Sequence, residues 1–299
     1  IIFLGTLPHQ APALLSLMSH LEFNQGIWYP MGGFYKVVEA IEKIATNAGV
    51  VIHTNQEVTK LHLSSRAVSQ VHTTSNSYQA DIVVSNADYV YTESLLPPSK
   101  RNYSQAYWNR RQLTPSAFLI FLGINGKLPK LQHHNLYFGN DWTQHFKDMD
   151  KNPQWPTKPS FYINMPSKTD ATIAPMGHEN LMILVPISTN LKETSKTKQQ
   201  YATQILDYIQ KQIDIDLQQN IVSKHVFSIT DFIDNYHAYK GNALGGVTHR
   251  FEQNAIGRPK NFNKHINNLY YVGAGTSPGI GVPMAIISAH LVRDKIASR

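Results

Sequence analysis

Residues 271–284 read Tyr-Val-Gly-Ala-Gly-Thr-Ser-Pro-Gly-Ile-Gly-Val-Pro-Met. A short apolar run at residues 269–272 comes before the glycines and is typical of a strand. After the glycines, apolar residues recur at helical spacing from Met284, and Pro283 suits the first turn of that helix. Glycines let a backbone approach a ligand closely, and the free N–H groups at a helix start favour an anion. The stretch therefore predicts a strand-to-helix turn with the chemistry of an anion site.

One alternative for this turn is a dinucleotide fingerprint. Gly273 and Gly275 fit its first positions, but the pattern requires Gly or Ala at position 278, where the chain has Pro278. A self-contained Rossmann site is therefore disfavoured here. Two interpretations stay open on the residues alone. The turn binds an anion, either a phosphate or the N1–C2=O edge of a reduced flavin, or it binds no ligand.

Composition indicates a folded protein without disulfides. Of the 299 residues, 42% are hydrophobic and 16% are charged, which disfavours intrinsic disorder. Because the chain has no cysteine, disulfides and thiolate metal sites are excluded, and a cytoplasmic location is the default. The adjacent His133 and His134 would point to opposite sides of an extended segment, so no metal site is predicted.

The net charge of +7 is scattered along the chain. Since no nucleic-acid-binding motif accompanies it, we expect no nucleic-acid partner and prefer a membrane surface. Pro8 and Pro12 interrupt the apolar opening, so no spanning helix is predicted, and the first residues lack the basic leader and cleavage site of a signal peptide. The first residue is Ile1, which leads us to expect further chain upstream.

The rest of the chain predicts alternating layers. Between Gly32-Gly33 and Gly49, apolar residues at helical spacing predict an amphipathic helix. Strands are predicted at residues 50–53, 58–63, 68–73, 82–85, 117–122, 160–164 and 181–186, and another helix at 201–213. Asp88 and Asp170 are expected to be turn and cap residues. The predicted fold is α/β with an inserted α+β domain.

Four motifs occur in an order that is found in a known family. They are Gly26-Ile27-Trp28-Tyr29-Pro30-Met31-Gly32-Gly33, Val84-Ser85-Asn86-Ala87-Asp88, Pro166-Ser167-Lys168-Thr169-Asp170 and the glycine-rich stretch that ends at Met284. In these motifs the chain resembles the bacterial-type phytoene and diapophytoene (dehydrosqualene) desaturases, which are FAD-dependent carotenoid desaturases. The motifs span nearly the whole chain, so the resemblance is specific.

The resemblance implies the C-terminal portion of a two-domain FAD/NAD(P)-binding flavoprotein of the amine-oxidase and phytoene-desaturase type. Residues 1–30 would form a helical segment that faces substrate or membrane, 31–96 and 237–299 parts of the FAD-binding domain, and 97–236 a substrate-binding domain. The N-terminal βαβ nucleotide motif of the family is missing, so the N-terminal part of the same protein is an expected partner. The chain alone is expected to bind FAD weakly or not at all.

The resemblance also implies positions for FAD. The backbone of Val58 would receive the adenine end, and the glycine-rich stretch would lie beside the isoalloxazine and the pyrophosphate. The cofactor-binding residues predicted in this way are Val58, Gly273, Gly275, Gly279, Gly281, Val282, Pro283 and Met284. Without the resemblance, Val58 would be interpreted as an ordinary buried strand valine.

The implied reaction is desaturation of a long polyisoprenoid such as phytoene or diapophytoene, with hydride transfer to flavin N5. Because this substrate is apolar, positioning matters more than acid–base chemistry, and no catalytic residue is predicted. Related alternatives are a carotenoid isomerase, a retinol saturase, a carotenoid oxidase and a non-catalytic lipid-binding fragment. The residues do not distinguish a C30 from a C40 substrate.

An insoluble hydrocarbon substrate implies contact with a bilayer. We expect a protein that is peripheral on the inner face of the cytoplasmic membrane, with residues 1–23 as the contact. Candidates for an apolar substrate tunnel, each of which is better explained as ordinary core, are Leu14, Leu17, Met18, Phe23, Trp28, Phe118, Ile120 and Leu122.

Overall fold

A computed structural model describes residues 13, 16–139, 142–149, 153–248, 253 and 257–298. Its helices are α1 (Ser16–Gln25), α2 (Tyr35–Asn47), α3 (Tyr89–Ser94), α4 (Gln105–Asn109), α5 (Trp142–Met149), α6 (Ser195–Ile213), α7 (Ile229–Tyr236) and α8 (Val282–Ala297). Its strands are β1 (Val58–Ser64), β2 (Ala67–Thr73), β3 (Ser77–Gln79), β4 (Val83–Ser85), β5 (Ser116–Asn125), β6 (His134–Tyr137), β7 (Phe161–Asn164), β8 (His178–Ile187), β9 (Ile221–Phe227) and β10 (Leu269–Tyr271). Within these described ranges, no helix combines the length and the apolar character that crossing a bilayer requires.

The largest sheet has five antiparallel strands in the order β6-β7-β8-β5-β9. At its centre, Phe118 of β5 lies opposite Val185 of β8, and Ile120 lies opposite Ile183. All four side chains are fully buried. Helix α6 packs on this core, where Tyr201 meets Phe118 edge-on with ring centroids 4.8 Å apart. The sheet and its helix therefore form a core that lies within residues 116–227.

A second core lies beside a three-stranded antiparallel sheet, β1-β2-β3, and a two-stranded parallel sheet of β4 and β10. Its buried members are Leu61, Val68, Tyr89, Leu96, Trp108, Val247, Ile266, Leu269 and Tyr271. Asn268 joins the two sheets, because its side chain accepts a hydrogen bond from Val68 N at 2.8 Å and donates one to Val68 O at 2.8 Å. Segments far apart in sequence thus meet around β10.

The predicted α/β class is confirmed, and most of the predicted elements are present. The strand predicted at residues 50–53 is wrong, since the structure has irregular backbone there. This run has the β-branched composition of a strand, but none of the described strands pairs with it, and Val51 is 74% exposed. The domain boundaries at residues 30, 96 and 236 are tested by no observation and stay a prediction.

The candidates for a substrate tunnel separate into two groups. Phe118, Ile120 and Leu122 are buried in the core of the large sheet, which matches the interpretation as ordinary core. Leu17, Phe23 and Trp28 are exposed on and after α1. Leu14 and the side chain of Met18 lie outside the described residues, and so does most of the membrane contact predicted at residues 1–23.

Candidate functional site

The candidate site begins where the two parallel strands end. Tyr271 of β10 pairs with Ser85 of β4, and Val272 N donates to Ser85 O at 2.9 Å just beyond the sheet. The turn of residues 86–88 follows one strand, and the glycine-rich turn follows the other. In α/β sheets, ligands bind at the carboxyl ends of parallel strands. The strand pairing therefore brings two of the four sequence motifs to the place where a ligand is expected.

Both turns line one cavity of about 480 Å³. Its lining includes residues 86–90, 245–246, 272 and 274–276. Its aromatic wall consists of Tyr89, Trp108, Phe232, Tyr236, Tyr239 and Tyr271. Tyr89 stacks on Tyr271 with ring centroids 4.3 Å apart, which fixes the strand end against α3. The cavity lining thus combines aromatic side chains with two glycine-containing segments.

Gly273 allows the two turns to approach each other. Its φ is +94°, and a β carbon there would overlap the side-chain oxygen of Asn86. Its N–H group donates to Ser288 Oγ of α8 at 2.7 Å. That N–H group is therefore already used inside the protein, and the role visible for Gly273 is close packing.

Gly275 lines the cavity directly. Behind it, the segment Gly245-Gly246 lies so close that a β carbon on Gly246 would come within 3.1 Å of Gly275 Cα. Gly246 O also accepts a hydrogen bond from Thr114 N at 3.1 Å. Two glycine-containing segments therefore pack backbone against backbone at this wall.

The remaining predicted residues lie at the start of α8. Gly279 is buried, whereas Gly281, Val282 and Pro283 are exposed and Met284 is half-buried. Gly281 caps the helix with a φ of +117°, and Pro283 stands in its first turn as predicted. None of these five residues lines the cavity, so the glycine-rich stretch has a cavity side, up to Thr276, and a helix-start side.

Val58 lies at the first position of β1, outside the cavity lining. Its carbonyl accepts a hydrogen bond from the hydroxyl of Tyr91 at 2.9 Å. Tyr91 belongs to α3, the helix that follows the turn of residues 86–88. The structure thus links Val58 to the site through α3, and its role toward the adenine end of FAD stays a prediction.

The acidic groups at the site are occupied. Asp88 caps α3, as expected, and accepts hydrogen bonds from Val90 N and Tyr91 N, and from Tyr239 N at 3.1 Å. Burial raises the pKa of Asp88, while these backbone N–H groups oppose the increase. Because both carboxylate oxygens already have partners, Asp88 joins the start of α3 to the backbone of Tyr239 and is not available as a free base.

Glu93 is a second buried carboxylate, one turn along α3. Tyr271 donates its hydroxyl hydrogen to Glu93 Oε1 at 2.5 Å, and Asn263 Nδ2 donates to the same oxygen at 3.3 Å. Burial raises the pKa of Glu93, while hydrogen bonds from its partners oppose the increase. Glu93 thus fixes the position of Tyr271, one of the aromatic residues that line the cavity.

The other two motifs meet elsewhere in the molecule. Gly32 N donates to Asp170 Oδ2 at 2.6 Å, and Asp170 also accepts from Thr172 N at 2.9 Å as the cap of a short helical turn. The hydrogen bonds from Thr172 and Gly32 lower the pKa of Asp170. Asp170 is thus the expected cap residue, and in addition it joins the Gly32-Gly33 motif to the motif of residues 166–170.

Several residues of the site lack a signal in the sequence. Gly245-Gly246 could have been found as a second glycine pair, whereas Trp108 and Tyr239 have no pattern that distinguishes them from ordinary core residues. Arg258, whose guanidinium lies against Gly279, is a single basic residue among scattered ones. Among the residues that the structure describes, no group of three His, Asp or Glu side chains could hold a metal.

Comparison with known proteins identifies the family. The family described as flavin containing amine oxidoreductase matches residues 2–296. A carotenoid 3,4-desaturase of Haloarcula japonica is 40% identical over 96% of this chain, and a 4,4'-diaponeurosporene oxygenase of Staphylococcus haemolyticus is 31% identical over 98%. The chain covers 58% and 59% of these two proteins, respectively.

A solved structure of an oxidoreductase from Methanosarcina mazei shares the fold. It superposes with a TM-score of 0.64 at 18% identity, over 98% of this chain and 62% of that one. The resemblance to carotenoid desaturases and the expected cofactor, FAD, are both confirmed by these matches. The chain belongs to the flavin containing amine oxidoreductases, in the part of that family that contains carotenoid-modifying enzymes.

Proposed function

We propose that the complete protein is an FAD-dependent desaturase that removes two hydrogens from adjacent carbons of a carotenoid-like polyisoprenoid. The observation that carries this proposal is the cavity at the ends of β4 and β10. Its lining combines six aromatic residues with glycine-containing segments, and both oxygens of Asp88, which also lines it, are already bonded. A site of this kind suits an apolar substrate and a reaction whose chemistry comes from a cofactor.

The residues present fit a flavin. Gly275 lines the cavity without a side chain, and Gly279, the next glycine along the stretch, leaves space for the Arg258 guanidinium. Within the described ranges, buried N–H groups of Arg258 beside Gly279 lack a hydrogen-bond partner. When FAD is bound, it supplies the hydride acceptor. The residues expected to hold it are Gly273, Gly275, Gly279, Gly281, Val282, Pro283, Met284 and, at the adenine end, Val58.

The protein's own contribution is positional. Trp108, Phe232 and Tyr239 form a wall that keeps water from an apolar chain and limits how it can lie. Tyr89 stacks on Tyr271, and the Tyr271 hydroxyl is bound by Glu93, so these two rings are held in place beside the parallel strands. Rigid placement of a reacting bond against a cofactor is the main source of rate when no acid–base pair is required.

A second function is favoured by one finding. The Staphylococcus haemolyticus relative, similar over 98% of this chain, bears the name of an oxygenase rather than a desaturase. An oxygenase would place oxygen from O₂ on the carotenoid, whereas a desaturase leaves the product without new oxygen. Isotope-labelled O₂ distinguishes the two reactions.

The proposed location is the inner face of the cytoplasmic membrane. Exposed apolar side chains of and after α1 support contact with a bilayer, with Phe23 at 87% and Trp28 at 86% exposure. Vesicle flotation at low and high salt tests this part of the proposal. Variants Phe23→Ser and Trp28→Ser should float less than the unchanged protein at both salt concentrations. Equal flotation of all three proteins would contradict an apolar contact at this place.

The test of the reaction uses protein expressed from the complete reading frame that contains this chain. The purified flavoprotein is incubated under isotope-labelled O₂ with vesicles that contain phytoene, diapophytoene or diaponeurosporene. The products are separated by chromatography and their masses are measured by mass spectrometry. Loss of hydrogen with longer-wavelength absorption supports desaturation. Label in the product supports the oxygenase, and an unchanged substrate in the presence of bound flavin contradicts both.

A matched pair of variants assigns the reaction to this cavity. Tyr236 of α7 lines the cavity, and its neighbour Asn235 is exposed and does not. Tyr236→Glu places a charge where an apolar substrate would lie, so its turnover should fall about tenfold or more. Asn235→Glu should retain the activity of the unchanged protein. Equal activities of the two variants would place the substrate elsewhere.

A further inference from the structure

Arg258 is a buried cation without a counter-ion. Its side chain is 3% exposed, and burial lowers its pKa to about 10. Nη2 donates to Val247 O at 3.2 Å, whereas Nε and Nη1 have no hydrogen-bond partner in the described part of the chain. Among the residues that the structure describes, no ion pair includes Arg258. Such an arrangement is costly, because a buried charge is normally paired and fully hydrogen-bonded.

The guanidinium lies against the glycine-rich stretch. A β carbon built on Gly279 would be 3.0 Å from Arg258 Nε and 3.1 Å from Cζ. Gly279 has a φ of +148°, which side chains rarely adopt, and it stands two residues before the helix cap Gly281. The glycine therefore gives the guanidinium a place beside the start of α8.

Two positive features lie along residues 279–282. The first is the unpaired guanidinium, and the second is the N-terminus of the sixteen-residue helix α8, whose first N–H groups and dipole favour an anion. No carboxylate of the described residues neutralises them. A bound anion can supply the missing negative group, and a guanidinium with free N–H groups suits an oxygen-rich or delocalised anion.

We propose that Arg258 binds an anionic group of the flavin cofactor, and that Gly279 is glycine in order to admit the guanidinium. This rests on the FAD site and is independent of which carotenoid reaction the protein performs. Two parts of FAD carry the required negative charge. One is the pyrophosphate, and the other is the N1–C2=O edge of the reduced ring.

The test compares Arg258→Gln and Arg258→Lys with the unchanged protein, all expressed from the complete reading frame. The dissociation constant for FAD should rise at least about tenfold in Arg258→Gln, since a charged hydrogen bond is lost. The dissociation constant of Arg258→Lys, which keeps the charge but not the planar geometry, should lie between those of the unchanged protein and Arg258→Gln. Arg101→Gln is the control, because Arg101 also donates to a backbone carbonyl, Leu96 O at 3.0 Å, away from the glycine-rich stretch.

Two further measurements distinguish the parts of FAD. If the pyrophosphate is the partner, Arg258→Gln should weaken binding of ADP by the same factor as binding of FAD, and the midpoint potential of bound flavin should not change. If the ring edge is the partner, ADP should bind normally and the midpoint potential should fall, because the cation stabilises the negative reduced ring. Either result supports the assignment of Arg258.

Thermal unfolding separates this role from a merely structural one. Without FAD, Arg258→Gln should be at least as stable as the unchanged protein, since the variant removes an unpaired buried charge. With saturating FAD, the unchanged protein should gain more in melting temperature than the variant. A variant that is destabilised without FAD and binds FAD with an unchanged dissociation constant would overturn the proposal.

Discussion

One β carbon at Gly273 should be enough to disturb the glycine-rich turn. The residue has a φ of +94°, and the new methyl group of Gly273→Ala would overlap Asn86 Oδ1. Backbone strain and overpacking together should lower the free energy of unfolding by about 1–3 kcal/mol, which urea denaturation can measure.

Gly275→Ala is the matched control for that prediction. Its β carbon would lie 3.6 Å from Tyr89 Cβ, an ordinary contact distance, and its φ is not in the left-handed region. The loss of stability should be less than about 1 kcal/mol. Because Gly275 lines the cavity, the free energy of flavin binding should fall more in Gly275→Ala than the free energy of unfolding does. Equal stability losses in both variants would contradict the close approach of the two turns.

Glu93 should give the protein a characteristic dependence of stability on pH. Burial raises its pKa in the folded state above the ordinary value of 4.5, so the folded protein holds this proton more tightly than the unfolded chain. The stability that the group contributes is therefore complete below pH 4.5, and it declines as the pH rises from there to the folded-state pKa.

The measurement is the urea midpoint from pH 4.5 upward, for the unchanged protein and for Glu93→Gln. The variant lacks the titrating group, so the stability advantage of the unchanged protein should shrink with rising pH across this range. Glu39→Gln, on the exposed surface of α2, should give parallel curves. A difference between the unchanged protein and Glu93→Gln that grows with pH would mean that the folded state favours the ionised carboxylate.

At the scale of elements, Asp170 should hold the segment before α2 against the five-stranded sheet. Gly32 N donates to Asp170 Oδ2, and the residues around Asp170 follow β7. In Asp170→Asn, the Gly32 N–H group should lose much of its protection against hydrogen exchange at pH 7. Asp214→Asn is the control, because Asp214 likewise has a lowered pKa but pairs with the exposed Lys130.

The sign of the pH effect follows from the lowered pKa of Asp170. Its contribution to stability is present above the ordinary pKa of 3.8 and is lost as the pH falls through the lower folded-state value. Protection of the Gly32 N–H group should therefore fall toward that of the variant only below about pH 4. Similar protection in both proteins at pH 7 would show that other contacts hold this segment.

The sequence predicts elements well where burial gives them a clear pattern. The central strands β5 and β8 are nearly continuous apolar runs, and both are confirmed. The edge strands β6 and β9 were missed because they are short or rich in polar residues such as His134 and Lys224. Residues 50–53 show the opposite error, because a strand needs a neighbour as well as a suitable composition.

The site was predictable only in part for a similar reason. Glycines indicate that another group packs closely against the backbone, so the turn around Gly273 could be located. The family resemblance then predicted FAD as its ligand. The partner that makes each glycine necessary, Asn86 for Gly273 and Arg258 for Gly279, comes from a distant segment and follows no periodic pattern. Such pairings depend on tertiary structure, which is why Arg258 became visible only in the fold.

At the scale of the whole molecule, several apolar faces lack a cover. Helix α2 has no buried residue among its thirteen, although Val38, Ile41 and Ile44 lie on one side of it. The first turns of α8 expose Val282 and Ile286 in the same way. Faces of this kind are normally covered in a folded protein. Since the chain spans about three fifths of its relatives, we expect the rest of the same protein to cover them.

One substitution measured in two proteins tests this expectation. Ile44→Glu should lower the free energy of unfolding by about 1.5–3 kcal/mol in the protein from the complete reading frame, because a buried isoleucine would be lost. In the 299-residue chain alone, where Ile44 is 69% exposed, the same change should have little effect on stability and should reduce binding of an apolar dye. Thr46→Glu, about 200° around the helix, is the matched control and should be mild in both. Equal and small effects of Ile44→Glu in both proteins would mean that α2 stays uncovered and that a partner other than the remaining chain, such as the bilayer, uses its apolar face.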